Sequence, residues 1–197
     1  MIRAALTSLL LVTPCTLGAA VTPSMPSPNW PSPAGRNEAQ LRATSLRLHN
    51  EARAEFGVAP LRWNDWLESE ALGYAQQMAR TGVFAHDRTP GRRAKMGENL
   101  WSGTKGAYSY DVMVGVMIDE SAHFIPGEFP NNSRTGVWQQ VSHYTQIVWP
   151  TTTEVGCAMV SSRSTDYYVC RYAPTGNIDG VALVPRNADI QLAQGSN

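Results

Sequence analysis

Cysteine is scarce, neither sign of charge is in excess, and no long apolar run occurs. The 197 residues hold 3 Cys and 4 His, with 16 Lys+Arg against 16 Asp+Glu. A near-neutral chain without a basic run excludes a nucleic-acid partner, because that binding relies on clustered Lys and Arg neutralising phosphates. Arg88, Arg92, Arg93 and Lys95 form the only local basic cluster, and it reads as a solvated loop rather than an anion site. No transmembrane segment is expected, since the apolar run near the N-terminus is too short to span a bilayer. There is no CxxC pair, no HExxH and no Gly-x-Ser-x-Gly elbow, so close-spaced zinc ligands and an exposed serine nucleophile have no sequence signature.

What is present begins with an address. Arg3, the apolar residues 4–12 and the small residues Gly18-Ala19-Ala20 make residues 1–20 a signal peptide, with the mature chain starting at Val21. Pro14 before Cys15 does not suit a lipoprotein signal, so no lipid anchor is expected. The predicted location is outside the cytoplasm, either extracellular or periplasmic. Cys15 leaves with the signal, and the remaining Cys157 and Cys170 are an even count in an oxidising compartment, expected to form one disulfide. Closing that loop stabilises by roughly 3 kcal/mol in the chain-entropy view. Residues 21–36, with Thr22-Pro23-Ser24-Met25-Pro26-Ser27-Pro28 and Pro31-Ser32-Pro33, form a semi-rigid Pro/Ser linker.

Periodicity places the elements of the folded part. Leu41, Ser45, Leu48, Ala52 and Phe56 predict a helix over 37–56, stopped by Gly57. Leu67, Ala71, Tyr74, Ala75 and Met78 predict a second over 65–80, capped by Asn64 and ended by Gly82. Residues 58–63 read as a packing connector, 83–95 as a loop carrying His86, and 98–101 as a short strand. Val112, Val116 and Ile118 give a third helix over 110–122, and 124–136 reads as a surface loop broken by Pro and Gly. A fourth helix is expected over 137–149, ended by Pro150. Residues 155–161 and 167–172 predict an antiparallel hairpin over Arg163-Ser164-Thr165 that sets Cys157 opposite or nearly opposite Cys170. Beyond Leu183, residues 184–197 form a polar tail.

The chain converges on Ser142-His143-Tyr144-Thr145-Gln146-Ile147-Val148-Trp149, which is too polar for plain core and too apolar for a surface loop. This stretch, with His49-Asn50-Glu51-Ala52-Arg53, Gly97-Glu98-Asn99-Leu100 and Tyr168-Val169-Cys170-Arg171-Tyr172-Ala173-Pro174-Thr175-Gly176-Asn177, resembles the four signature motifs of the CAP superfamily. That superfamily holds cysteine-rich secretory proteins, antigen 5 and pathogenesis-related class 1 proteins, also called SCP-domain proteins. The resemblance implies an α+β domain over 37–183, a three-layer α-β-α sandwich with a small central antiparallel sheet. It also implies a cleft of His86, Glu98, Glu120 and His143, with zinc or another divalent cation weakly bound on His86 and His143.

Imidazole nitrogens suit zinc, and neighbouring carboxylates can orient a metal-bound water. His49, Asn50 and Arg53 are expected to tie helix to sheet, since buried polar groups must be paired. Tyr144, Trp149 and Trp101 read as core aromatics, Asn177 as a structural motif residue, and His123 as exposed. Two functions follow from the resemblance. The first is a binding module for a lipid, a sterol or an extracellular protein partner, acting in defence, virulence or envelope interaction. The alternative is a metal-dependent, protease-like hydrolase with Glu98 or Glu120 as base. A single candidate disulfide, fewer than plant and animal members carry, predicts a minimal bacterial member.

Overall fold

The computed structural model describes residues 36–186. The expected signal peptide, the expected Pro/Ser linker up to residue 35 and the expected polar tail from residue 187 lie outside the described residues. In chain order the elements are α1 (Glu38–Phe56), β1 (Arg62–Trp63), α2 (Asp65–Thr81), α3 (Arg92–Lys95), β2 (Gly97–Thr104), α4 (Tyr110–Ile118), β3 (Gly127–Glu128), α5 (Ser142–Ile147), β4 (Glu154–Ser161), β5 (Thr165–Ala173) and β6 (Ala182–Leu183).

Local chemistry sets the two long helices. The Asn37 side chain accepts from the Gln40 N–H while the Gln40 side chain returns to the Asn37 N–H, a complete capping box, and Gly57 ends α1 at φ 85°. Asn64 accepts from the Trp66 and Leu67 N–H groups to start α2, and Gly82 at φ 71° ends it. Both match the sequence reading.

Four strands form one sheet in the order β1-β4-β5-β2, antiparallel except where the two residues of β1 run parallel to β4. β5 is buried along nearly its whole length, and its two faces feed different cores. Tyr168, Cys170 and Tyr172 pack with Phe56, Met113, Ile147 and Trp149. Tyr167 and Val169 pack with Ala71, Ala75 and Met78 of α2. The period of two along a strand thus makes three layers, the expected α-β-α sandwich. Cys157 faces Cys170 in register and the two are bonded. At Gly156 a Cβ would lie 2.2 Å from the Glu68 nitrogen, so only glycine lets the first turn of α2 lie on β4.

Several expectations are corrected. The connector 58–63 contains β1, whose two residues are too few to show an alternation. In α4 the buried side chains are Tyr110, Met113, Val114 and Met117, while Val116 is exposed; a run apolar on every face carries no usable period. The helix expected over 137–149 is a 3₁₀ turn at Trp138–Gln140 followed by the short α5, because Val141 leaves the helical region at φ −131°, ψ 0°. Residues 124–136 are not simply a surface loop. Phe129, Asn132 and Ser133 are buried, and β3 pairs with β6, since the turn residues bracket an aromatic that goes inward.

Candidate functional site

α5 is held from every side, and that is what fixes His143. Arg53 of α1 is wholly buried and, among the described residues, has no carboxylate partner. Its Nε donates to the Ala59 carbonyl at 2.6 Å, and its terminal nitrogens donate to the carbonyls of Ile147 (2.8 Å), Trp149 (2.9 Å) and Thr152 (2.9 Å). Burial lowers its pKa to about 10. The C-terminal end of α5, where carbonyls lack helical partners, is thereby satisfied by one guanidinium. At the other end, Glu120 Oε2 accepts the N–H groups of His143 (2.8 Å) and Tyr144 (3.2 Å). Its Oε1 lies 2.5 Å from His143 Nδ1.

The flank of α5 is closed by the segment after β5. Asn177, at φ 52°, donates to the Ser142 carbonyl at 2.8 Å and accepts from the Thr145 hydroxyl at 2.8 Å. The Gly176 N–H donates to Gln146 Oε1 at 3.1 Å, and a Cβ on Gly176 would sit 2.6 Å from Gln146 Nε2. Beneath the helix, Asn99 donates to the His143 carbonyl (3.0 Å) and to Tyr172 Oη (3.1 Å). Tyr172 then donates to His49 Nε2 at 2.7 Å, and His49 Nδ1–H donates to the Ser45 carbonyl at 2.7 Å. Burial, reinforced by the charge of Arg53, pushes the His49 pKa down to about 4. Asn50 exchanges two hydrogen bonds with the Leu61 backbone, at 3.1 and 2.7 Å. These side chains tie α1 to its neighbours by hydrogen bonds, and Tyr144 and Trp149 lie in the core cluster. Trp101 is only partly buried, edge-on to Tyr108.

The second histidine belongs to an ion-pair network between β2, β5 and the loop after α2. Glu98 pairs in register with Arg171, and the Arg171 guanidinium binds Glu98 Oε2. Glu98 Oε1 accepts the Asp87 N–H at 3.1 Å and lies 2.6 Å from His86 Nδ1. Arg171 also binds Asp87 at 2.8 Å, and its guanidinium lies 5.0 Å over the ring of Tyr74. Arg92 donates to the Asp87 carbonyl at 3.1 and 2.9 Å and approaches Glu98 at 3.7 Å. For Asp87, burial alone raises the pKa, but hydrogen bonds from Thr89 and then Arg171 outweigh it and hold the carboxyl below its usual range. Arg92 is therefore no solvated loop residue: its side chain is 11% exposed.

His86, Glu98 and His143 line one cleft of about 380 Å³, and Glu120 stands behind His143. His123 is exposed, as expected, and is not among the residues lining that cleft. Each cleft imidazole has Nδ1 within hydrogen-bond distance of a carboxylate, so in the neutral ring Nδ1 carries the proton and Nε2 the lone pair. Among the described residues neither Nε2 has a hydrogen-bond partner. Carboxylate-bound imidazoles with a free Nε2 are what metal sites use, so the donor set suits a divalent ion. Among the described residues no group of three or more His, Cys, Asp or Glu is placed to hold an ion together.

Sequence reasoning missed Asp87, Arg92, Arg171, Trp138, Gln139 and Gln146. Arg171 carried a signal, a charge within the apolar run Tyr167–Tyr172 of a strand. Trp138 and Gln139 carried none, because their position depends on the break at Val141.

The family model described as cysteine-rich secretory protein family, CAP, matches residues 46–172. Pathogenesis-related protein 1A of Nicotiana tabacum is 36% identical over 137 residues, covering 68% of this chain and 76% of that protein. Secreted protein PRY1 of Candida albicans is 31% identical over 146 residues, 73% of this chain and 31% of that protein. Among solved structures, NaASP2 with Zn2+ superposes with a TM-score of 0.63 at 22% identity, covering 76% of this chain and 87% of the other. Hookworm platelet inhibitor gives 0.59 at 18% identity, covering 77% and 80%. The two structural likenesses bear on the fold alone, and these plant and fungal relatives do not support the bacterial origin expected from the cysteine count. With His49, His86, Glu98, Glu120 and His143 all inside the matched span, the chain belongs to the cysteine-rich secretory protein (CAP) family.

Proposed function

We propose that this protein is a secreted binding module whose cleft takes a divalent cation weakly on His86 and His143 and, with it, a polar ligand or a group on an extracellular partner. The observation that carries the reading is the matched pair of imidazoles, Nδ1 on a carboxylate at 2.6 and 2.5 Å and Nε2 unengaged, in one cleft. Zinc held by two imidazoles supplies a positive charge for a ligand oxygen. Secretion is supported by residues 1–20, by the disulfide and by the kind of relatives matched. Among the described residues no helix is long and apolar enough to cross a membrane.

The lining bears on the ligand. Among the described residues Trp138 is the only hydrophobic side chain lining the cleft, so a sterol or lipid tail finds little matching surface on them. The hydrolase reading is weakened by the carboxylates: Glu98 is engaged by Arg171, His86 and the Asp87 N–H, and Glu120 by two amides and His143. Each accepts three hydrogen bonds, which leaves about one of its four lone-pair positions for a water that a general base would activate. Calorimetric titration of zinc into metal-stripped protein tests the proposal. One saturable site, lost in the His86→Ala/His143→Ala double variant, supports it, and equal heats for the two proteins refute it.

A further inference from the structure

Trp138 is 38% exposed, and its indole N–H has no partner among the described residues. The ring is nonetheless anchored. It packs edge-on to Phe129 at 5.6 Å and 72°, and Phe129 packs edge-on to the buried Trp149 at 6.1 Å and 86°. An indole already ordered by the core loses little side-chain freedom when something stacks on it.

Arg93 lines the same cleft and the hollow that adjoins it. Its neighbour Arg92 is taken up by Asp87 and Glu98, whereas Arg93 makes one long contact, 3.5 Å to the Asn177 carbonyl, and no ion pair among the described residues. Gln139, Ser142, Thr175 and Asn177 add amide and hydroxyl groups to the lining. A single aromatic plate in a lining of amide and hydroxyl groups matches a sugar ring, whose C–H face stacks while its hydroxyls form hydrogen bonds. An unpaired guanidinium adds a fork for a carboxylate.

We infer that the cleft binds an acidic saccharide, with a uronate ring stacked on Trp138 and its carboxylate addressed by Arg93. The volume of about 380 Å³ is in the range of small-ligand pockets. This names the ligand class of the cleft and rests on the cleft being a binding site; it does not require the cation.

The test is calorimetric titration of the protein, metal-free and zinc-loaded, with trigalacturonate and with neutral galactotriose. The expected result is saturable binding of trigalacturonate, weakened at least tenfold by Trp138→Ala and brought to the level of galactotriose by Arg93→Gln. Arg93 is exposed, so that variant reads the contact independently of any repacking around Trp138. No saturable binding, or binding that survives both substitutions, overturns the inference. Zinc heats from the same samples separate the two readings: saccharide binding without zinc binding refutes the cation alone, and zinc binding without saccharide binding refutes the saccharide alone.

Discussion

The two cleft histidines make the same bond in different surroundings. His86 stands on a loop with its side chain 62% exposed, and its carboxylate, Glu98, is 1% exposed beside Arg171 and Arg92. His143 stands on α5 with its side chain 29% exposed, and its carboxylate, 18% exposed, also caps that helix. The first half is an ion-pair network with a histidine at its rim. The second is a helix start with the histidine inside it. Stability is therefore concentrated behind His86 rather than in His86, while at His143 ring position and helix position are one constraint.

The largest effect that separates the halves should come from Arg171→Leu. It leaves Glu98 and Asp87 short of a cation in a buried site, and removing one member of such a pair costs about 3–5 kcal/mol. Urea denaturation reads it, and a loss under about 1 kcal/mol would make the network as dispensable as a surface pair.

Next in size is the pH response of His49, the wholly buried imidazole under α5. Its folded pKa of about 4 lies below the ordinary 6.5, so the unfolded chain binds a proton first. The stability it contributes is complete above pH 6.5 and lost as pH falls from there towards 4, by up to about 3 kcal/mol. Asp87 and Asp166, held below their usual 3.8, contribute stability that is lost only below that value. Denaturation midpoints across pH 4–7 in wild type and His49→Gln should show the slope and its removal.

Glu120→Ala should cost about 1–2 kcal/mol, the scale of a lost helix cap with its hydrogen bonds. Smallest is His86→Ala, within about 0.5 kcal/mol in stability because the ring is mostly exposed, although it abolishes the proposed cation site. A larger destabilisation would show that His86 supports the network rather than decorating it.

Legibility in the sequence followed how local each signal was. α1 and α2 could be read because Asn37, Gly57, Asn64 and Gly82 punctuate them with side-chain and backbone chemistry. The β4–β5 hairpin could be read from alternation, and with it the Cys157–Cys170 bond. α4 hid its buried face because it is apolar all round, and the short α5 after the break at Val141 is bound at its two ends by Glu120 and Arg53, which come from other elements. His86, Glu98, Glu120 and His143 were nameable only through the family motifs. What sequence could not supply was the pairing, in which each histidine takes one carboxylate and Glu98 takes Arg171 besides.

The most direct test of the central claim is a nitrogen-15 NMR titration of the imidazoles with zinc near pH 7. The account predicts that His86 and His143 start as Nδ1–H tautomers and that their Nε2 signals shift together, while buried His49 stays silent. Unshifted Nε2 signals at both, or a response confined to one of them, would contradict a shared cation site.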